Sequence, residues 1–422
     1  PPTVFGIQMH PAIQDSTGLQ EALALNPSWI RFSAFHWDEI EPVRTEPPTY
    51  DWSAVRETSL LNAATGGMEM VAIVQYTPDW AQKVPGVYCG PIVEDRLDEF
   101  AQFLDALVRR YSVPPYNIKY WELGNEPDVS PSLVPAHSIF GCWGDENDPY
   151  YGGRYYGHML EVAYPAIKAA DPQAQVLVGG LLLDCDPRVP GACQGAHGAL
   201  PPQFLDGILV AGGGAYFDLL SFHAYSLFDA AQGEGHMYNS NWPGAVTSTP
   251  EKTAFLRERL AAYGYAGKPL MNTESALLCS LPSDACFSTQ AAYVPRAYAE
   301  ALALDLDAQF YFALVNDGWH YTGLLSPDLT PRPAYGAYQA ANNFLSAVEY
   351  LGEAGGYVVG VEGYSFRKRD GSGTIDMIWS VDTNPVEVSL PVEGAVYDMS
   401  GTYLGSGGVY LVDWRPVYVV WP

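Results

Sequence analysis

Eight short apolar runs, spaced by stretches with helical periodicity, constrain this chain more than any other feature. They cover residues 4–10, 29–35, 69–76, 120–126, 175–181, 219–225, 269–274 and 308–314. Apolar strand-like segments alternating with amphipathic helices are the pattern of a parallel sheet wrapped by helices. Helix candidates lie at 96–111, 155–170, 251–263 and 290–304, and one at 335–348 closes the last unit. Within 96–111, Leu97, Phe100, Leu104, Leu107 and Val108 fall on one helical face. Eight strand–helix units predict an α/β fold, a (β/α)8 TIM barrel over residues 1–348. From 349 to 422 the texture changes. Gly-rich turns separate short alternating runs at 357–361, 374–380, 386–390, 395–398, 409–412 and 417–421. These predict a small antiparallel, sandwich-like β-domain, read as a packing appendage in preference to a binding module.

The net charge of −27 and pI near 4.4 argue against nucleic acid and anionic membrane surfaces as partners, because like charges repel. Neutral substrates are favoured over polyanions, with a solubility or salt adaptation that has no bearing on the substrate as the equal alternative. No run of about 18 apolar residues is present, so no membrane-spanning helix is expected. Aromatic residues make up 13% of the chain, with 29 Tyr and 11 Trp. Most are core filler, but a sugar-binding cleft also favours flat rings against the CH face of a pyranose. Six cysteines point to an oxidising compartment. Cys185 with Cys193, and Cys279 with Cys286, each flank a local loop, which leaves Cys89 with Cys142. Six free buried thiols are the alternative, since sequence does not fix connectivity. A chain opening on Pro1-Pro2 reads as processed or trimmed, and the absence of an Asn-x-Ser/Thr acceptor with a permitted middle residue favours bacterial or archaeal secretion, bacterial first, over eukaryotic. No HExxH, Walker loop or GxSxG elbow is found, and no cofactor or metal is expected. Gly212-Gly213-Gly214 and Gly179-Gly180 read as turn glycines. Asp145-Glu146-Asn147-Asp148 reads as a solvated acidic loop in preference to a calcium site. A monomer is the default.

Two of the runs end in glutamate: Trp121-Glu122-Leu123-Gly124-Asn125-Glu126-Pro127 and Pro269-Leu270-Met271-Asn272-Thr273-Glu274-Ser275. Barrel strands deliver catalytic side chains at their C-terminal ends. Two carboxyls meeting at one mouth are what cleavage of a glycosidic bond needs, one to protonate the leaving oxygen and one to attack the sugar. Arg31 sits inside an apolar run, where a charge is expensive unless paired. His223 and Tyr225 alternate along the sixth run and so share a face.

The Asn125-Glu126-Pro127 triplet after strand four, with Glu274 after strand seven, resembles the clan A glycoside hydrolases. Family 39 is the most similar, with family 5 as a relative, over roughly residues 4–345. The stretch from Trp37 to Pro42 leading into Tyr50-Asp51-Trp52 adds to the resemblance. It implies that Glu126 is the acid/base and Glu274 the nucleophile. It also implies that Asn125 faces the substrate 2-hydroxyl, that Arg31 lies under the nucleophile, that Tyr225 hydrogen-bonds the nucleophile and that His223 braces the network. Trp319 would be the floor of the subsite holding the cleaved sugar; His36, Trp37 and Trp80 follow strands two and three as further candidates, and any one of these Trp residues is as readily core as rim. The chain departs from the family at Gly124, where the xylosidase type often carries Trp, and in its long loops 129–151 and 182–201. The expected activity is a secreted retaining β-glycoside hydrolase acting on neutral, β-linked oligo- or polysaccharides, with internal cleavage favoured. A transglycosylase on the same site, or a carbohydrate-binding protein that has lost catalysis, are the competing readings.

Overall fold

The computed structural model describes residues 2–244, 246–316, 318–381 and 384–422. Eight parallel strands close on themselves: β1 (Phe5–Gln8), β2 (Trp29–His36), β3 (Glu69–Gln75), β4 (Tyr120–Asn125), β5 (Gln175–Leu181), β6 (Leu219–Phe228), β8 (Leu270–Leu278) and β9 (Ala308–Tyr311). A two-residue strand, β7 (Met237–Tyr238), pairs antiparallel with the end of β6. β1 lies between β2 and β9, and β5 pairs with β6, which completes the cylinder. Among the described residues, nine helices occur: α1 (Leu19–Leu25), α2 (Trp37–Ile40), α3 (Glu57–Thr65), α4 (Leu97–Tyr111), α5 (Gly153–Ala170), α6 (Gln203–Val210), α7 (Thr249–Ala262), α8 (Asp284–Ala303) and α9 (Pro333–Leu345).

The bottom of the cylinder is an apolar plug of Trp29, Val71, Leu177, Leu219, Met271, Ala308 and Phe310. One side chain from each of several strands fills the interior, as packed layers in a barrel require. The layer above is polar, with Gln8, Arg31, Glu122, Ser221 and Thr273 all buried. An apolar floor under a buried polar layer leaves the C-terminal mouth as the place for chemistry.

Three details differ from the sequence reading. β8 continues four residues beyond Glu274, because Ser275 buries its hydroxyl by donating to the Phe310 carbonyl (2.9 Å) and the apolar Ala276 and Leu277 follow. Gly179 and Gly180 are not turn residues. They lie inside β5, where a Cβ on Gly180 would stand 2.1 Å from His223 Nε2. The helix expected at 335–348 stops at Leu345, and Val348 opens a strand.

That strand, β10 (Val348–Glu353), joins β11 (Val361–Lys368), β12 (Thr374–Ser380), β13 (Val386–Tyr397), β14 (Tyr403–Val412) and β15 (Val417–Trp421) in an antiparallel sheet ordered β10-β11-β12-β15-β13-β14. The run expected at 357–361 contributes only its last residue to a strand. Those expected at 386–390 and 395–398 form one strand whose register slips between Leu390 and Ala395. Pro391 lies in that gap and has no N–H for the ladder. One face of the sheet packs on the barrel helices: Phe344 of α9 stacks on Tyr418 (4.5 Å between centroids), and the Arg296 guanidinium of α8 lies 4.4 Å from the Trp379 ring centre. The other face buries Ile378, Val388, Val412 and Val419.

All three disulfides sit in loops that follow barrel strands. Cys89–Cys142 ties the loop after β3 to the loop after β4, Cys185–Cys193 closes the loop after β5, and Cys279–Cys286 joins the residue after β8 to the start of α8.

β1 closes the barrel only because Gly6 has no side chain: a Cβ there would stand 2.7 Å from the Phe310 ring. Gly6→Ala should therefore destabilise the chain by about 1–3 kcal/mol through overpacking, measured by urea unfolding. Combining it with Phe310→Leu should recover part of the loss, and additive destabilisation in the double variant would refute the contact.

Candidate active site

Arg31 organises the polar layer. It is fully buried and projects from β2 toward the barrel axis. Its Nε donates to Glu122 Oε2 (2.6 Å), Nη1 to Gln8 Oε1 (2.7 Å) and to Glu274 Oε1, and Nη2 to Asn125 Oδ1 (2.8 Å). A guanidinium offers five donors in a rigid fork, and here its three nitrogens serve four acceptors on β1, β4 and β8. Burial works against its charge, but Glu122 and Glu274 hold its pKa above the ordinary value. The other oxygen of Glu122 accepts from Ser221 Oγ (2.7 Å) and Thr273 Oγ1 (3.0 Å), so this buried carboxylate is satisfied on both sides.

Glu274 lies where the β8 register slips against both neighbours, between Asn272 and Ser275 on the β9 side and opposite His223 on the β6 side. A bulge re-aims the side chain it carries. Glu274 thereby reaches the axis and accepts from Arg31 on one oxygen and from the Tyr225 hydroxyl on the other. Glu126 follows β4 in a left-handed conformation (φ 50°), with its N–H bonded to the Gly180 carbonyl at 3.0 Å. A non-glycine residue in this region is strained and persists only when its surroundings hold it there. Its Oε1 lies 2.7 Å from His223 Nδ1.

Carboxylate oxygens of Glu126 and Glu274 and the His223 ring nitrogen all lie within 4.8 Å of one another. The trio has the ligand types of a divalent-metal site. Glu274, however, already carries the Arg31 guanidinium, and a second cation beside it would be repelled, so the donors do not fit a resident metal.

The electrostatics separate the two glutamates. Burial raises Glu126 well above the usual carboxylate range, and Glu274 and Asp128 add to the shift while Arg31 and Lys252 oppose it. Burial raises Glu274 too, but Arg31 and the Tyr225 hydroxyl pull it back. Of the pair, Glu126 keeps the proton. Burial, with Arg31 and Lys252 nearby, drives His223 well below its ordinary pKa, so the ring is neutral. Burial and the adjacent glutamates keep Tyr225 protonated.

The aromatic candidates divide. Trp319, after β9, is 41% exposed and stands edge-on to Tyr225 (5.2 Å) and Phe312 (5.3 Å). Its loop is joined to β8 by the Cys279 N–H donating to the His320 carbonyl at 3.2 Å. His36 is partly buried at the end of β2, within 2.9 Å of Ser33 Oγ and edge-on to Tyr76. Trp37 does not serve as an open platform, whereas Trp80 is half-buried. Trp37 is 1% exposed, packed on Phe100 and Phe103, with its indole N–H donated to Glu41 Oε2; it lines a pocket beside Asn125 as wall. Trp80 stands edge-on to Trp37 and donates its N–H to the Glu41 carbonyl.

Sequence reading passed over Gln8, Glu122, Ser221, Thr273, Asp128 and Lys252. Glu122 alone left a usable signal: a buried Arg31 needs a buried acid, and Glu122 lies inside an apolar run.

Comparison with protein-family models finds no match, and comparison of the sequence with curated proteins finds none. Solved structures do match. A family 39 glycoside hydrolase from Bacteroides cellulosilyticus superposes with a TM-score of 0.73 at 19% identity, over 100% of this chain and 81% of that one. An α-L-arabinofuranosidase from Thermotoga maritima gives 0.62 at 13%, over 99% and 96%. A family 30 endoxylanase from Clostridium papyrosolvens gives 0.60 at 12%, over 100% and 97%. The chain shares its fold with these glycoside hydrolases.

Removing Arg31 would strand buried carboxylates without a cation. Arg31→Met should cost about 3–5 kcal/mol at neutral pH. The freed Glu274 would then take up a proton, raising its folded-state pKa further above the unfolded value, and such a group loses stability as pH rises. The penalty should accordingly be smaller at pH 5 than at pH 8 in denaturant titrations. An equal penalty at both would show that the ion pairs are not what the substitution breaks.

Proposed function

We propose that this protein is a retaining β-glycoside hydrolase that acts on neutral β-linked sugars in an extracellular setting. The observation that carries the proposal is the approach of Glu126 and Glu274 to within 4.8 Å at their carboxylate oxygens, with Arg31 on one and neutral His223 on the other. Retaining enzymes hold their two carboxyl groups about 5–5.5 Å apart, a spacing with which one oxygen from each within 4.8 Å is consistent.

Glu274, kept ionised by Arg31 and oriented by Tyr225, attacks the anomeric carbon. Glu126 donates its proton to the departing oxygen, giving a glycosyl-enzyme. With Oε1 held 2.7 Å from His223 Nδ1, Oε2 is the oxygen free to meet the substrate. Once Glu274 is esterified its charge is gone, Glu126 loses one cause of its raised proton affinity, and it can deprotonate the incoming water. Asn125 accepts from Arg31 through Oδ1, which leaves its amide N–H groups for the sugar 2-hydroxyl. Trp319 offers an open ring beside Tyr225 for the sugar face.

Neutral substrates fit because the two cations nearest the carboxylates, Arg31 and Lys252, are buried and committed to internal acceptors. The solved neighbours are described as acting on xylan, arabinofuranosides or glucosides, which are neutral sugars. Three disulfides fit an oxidising, extracellular location. No helix among the described residues is long and apolar enough to cross a membrane.

Glu126→Gln should slow a substrate with a poor leaving group by about 10²–10⁴-fold and a dinitrophenyl β-glycoside far less. A 2-fluoro glycoside should label Glu274, located by peptide mass spectrometry. Release of the inverted anomer in proton NMR of early products, or labelling elsewhere, would defeat the reading.

A further inference from the structure

Behind Glu126 and His223, buried polar contacts made by Asp128 and Lys252 close a ring that the chemistry above does not use. It begins at Asp128, two residues past Glu126. The Asp128 carboxylate accepts from the Leu182 N–H (2.9 Å) and the Leu183 N–H (2.8 Å), at the end of β5. The Leu182 carbonyl accepts from Lys252 Nζ at 2.5 Å, and the same ammonium donates to the His223 carbonyl at 2.7 Å. His223 Nδ1 then returns to Glu126 at 2.7 Å. Every side chain in the ring is buried: Lys252 is 4% exposed, Asp128 2% and His223 0%.

Lys252 projects from α7 to where the β5–β6 ladder gives out. That ladder slips between Val178 and Leu181, and its last register pairs Leu181 with Phe222. Lys252 bridges the next two residues, Leu182 and His223, whose strands have parted. Taking an ammonium out of water costs several kcal/mol, and an apolar side chain would fill the space without that cost. The charge therefore has a use that packing does not explain.

Resting on the assignment of Glu126 as the acid, we propose that Lys252 is a positioning residue that holds the His223 imidazole against Glu126 and sets how tightly Glu126 keeps its proton. The groups facing Glu126 are Glu274 and Asp128, which raise its proton affinity, Arg31 and Lys252, which lower it, and the neutral His223 and Tyr225. Burial brings Lys252 itself down to about 8, against Asp128, Glu126 and Asp184 acting upward. The ammonium is thus present through the neutral range and fades as the solution becomes alkaline, and as it fades Glu126 binds its proton more firmly. Lys252 and Asp128 push in opposite directions from two sides of one peptide group, so substitutions of the two must move the acid oppositely.

The test titrates Glu126 by carbon-13 NMR in the full chain labelled at glutamate carboxyls, assigned with Glu126→Gln, in the wild type, Lys252→Met and Asp128→Asn. Lys252→Met should move the Glu126 midpoint up, and Asp128→Asn should move it down, each by about half a unit or more. The alkaline limb of kcat/KM on an aryl β-glycoside should shift in the same directions, with KM within about twofold and kcat reduced about tenfold or more in Lys252→Met, in the range of a misplaced acid. A folded Lys252→Met with an unmoved midpoint overturns the proposal. If that variant does not fold, Asp128→Asn decides, and an upward or absent shift overturns it. A wild type that turns over no glycoside, yet shows both NMR shifts, would defeat the enzymatic reading and leave the electrostatic circuit standing.

Discussion

The guanidinium of Arg31 is the interaction on which the rest of this site depends. One planar cation in the barrel interior engages Gln8 on β1, Glu122 and Asn125 on β4 and Glu274 on β8. A buried ion pair is weak evidence for stability, since desolvation offsets most of the attraction. Its value here lies in geometry. Asn125 and Glu274 come from strands on different parts of the cylinder, and a rigid fork with fixed donor directions sets their separation more tightly than apolar packing could. Glu122 carries the charge balance. Two carboxylates around one guanidinium would leave a net negative charge in low dielectric, and the Ser221 and Thr273 hydroxyls absorb part of it by donating to Glu122.

From that arrangement a division of proton affinity between the two glutamates follows without any difference in residue type. Glu274 touches a cation and a hydroxyl, whereas Glu126 touches a neutral imidazole and lies near two further acids. Environments that push paired groups apart in proton affinity are how one site holds an acid and a base at the same pH. The glycine at 180 belongs to this division. Any larger residue there would displace the His223 ring, and with it the hydrogen bond that orients Glu126.

The barrel was legible in the sequence because its strands are buried on both faces and its helices are amphipathic, so periodicity alone separates them. The ends of the elements were less so. β8 outlasts its apolar run because Ser275 satisfies its hydroxyl inside the protein, which composition cannot reveal. Glu126 and Glu274 stood out by their position at the ends of apolar runs together with the resemblance to clan A. Trp37 is undecided between core and rim in the sequence because an aromatic after a strand end reads the same whether the ring faces the mouth or the layer between barrel and helices; the Glu41 acceptor and the Phe100 and Phe103 rings put it in the packing. Asp128 and Lys252 gave no sign at all. Their partners are main-chain groups at Leu182, Leu183 and His223, and no pattern of side chains announces a backbone acceptor. Such residues become visible only once the chain is folded.

The net charge of −27 plays little direct part in the site. At physiological ionic strength, exposed charges more than about 8 Å away are largely screened, whereas the buried contacts around Glu126 and Glu274 lie within hydrogen-bonding reach in a medium that screens poorly. Local cations therefore set the proton affinities, and the surface charge acts on what approaches from solution. It disfavours anionic glycans at long range, while at short range Arg31 and Lys252, the cations nearest the carboxylates, are already committed to internal acceptors. Both scales disfavour negative charge in the proposed substrate. Under the proposed function, a sugar in the mouth would lay its CH face on the exposed ring of Trp319 and meet the Asn125 amide that Arg31 has already oriented.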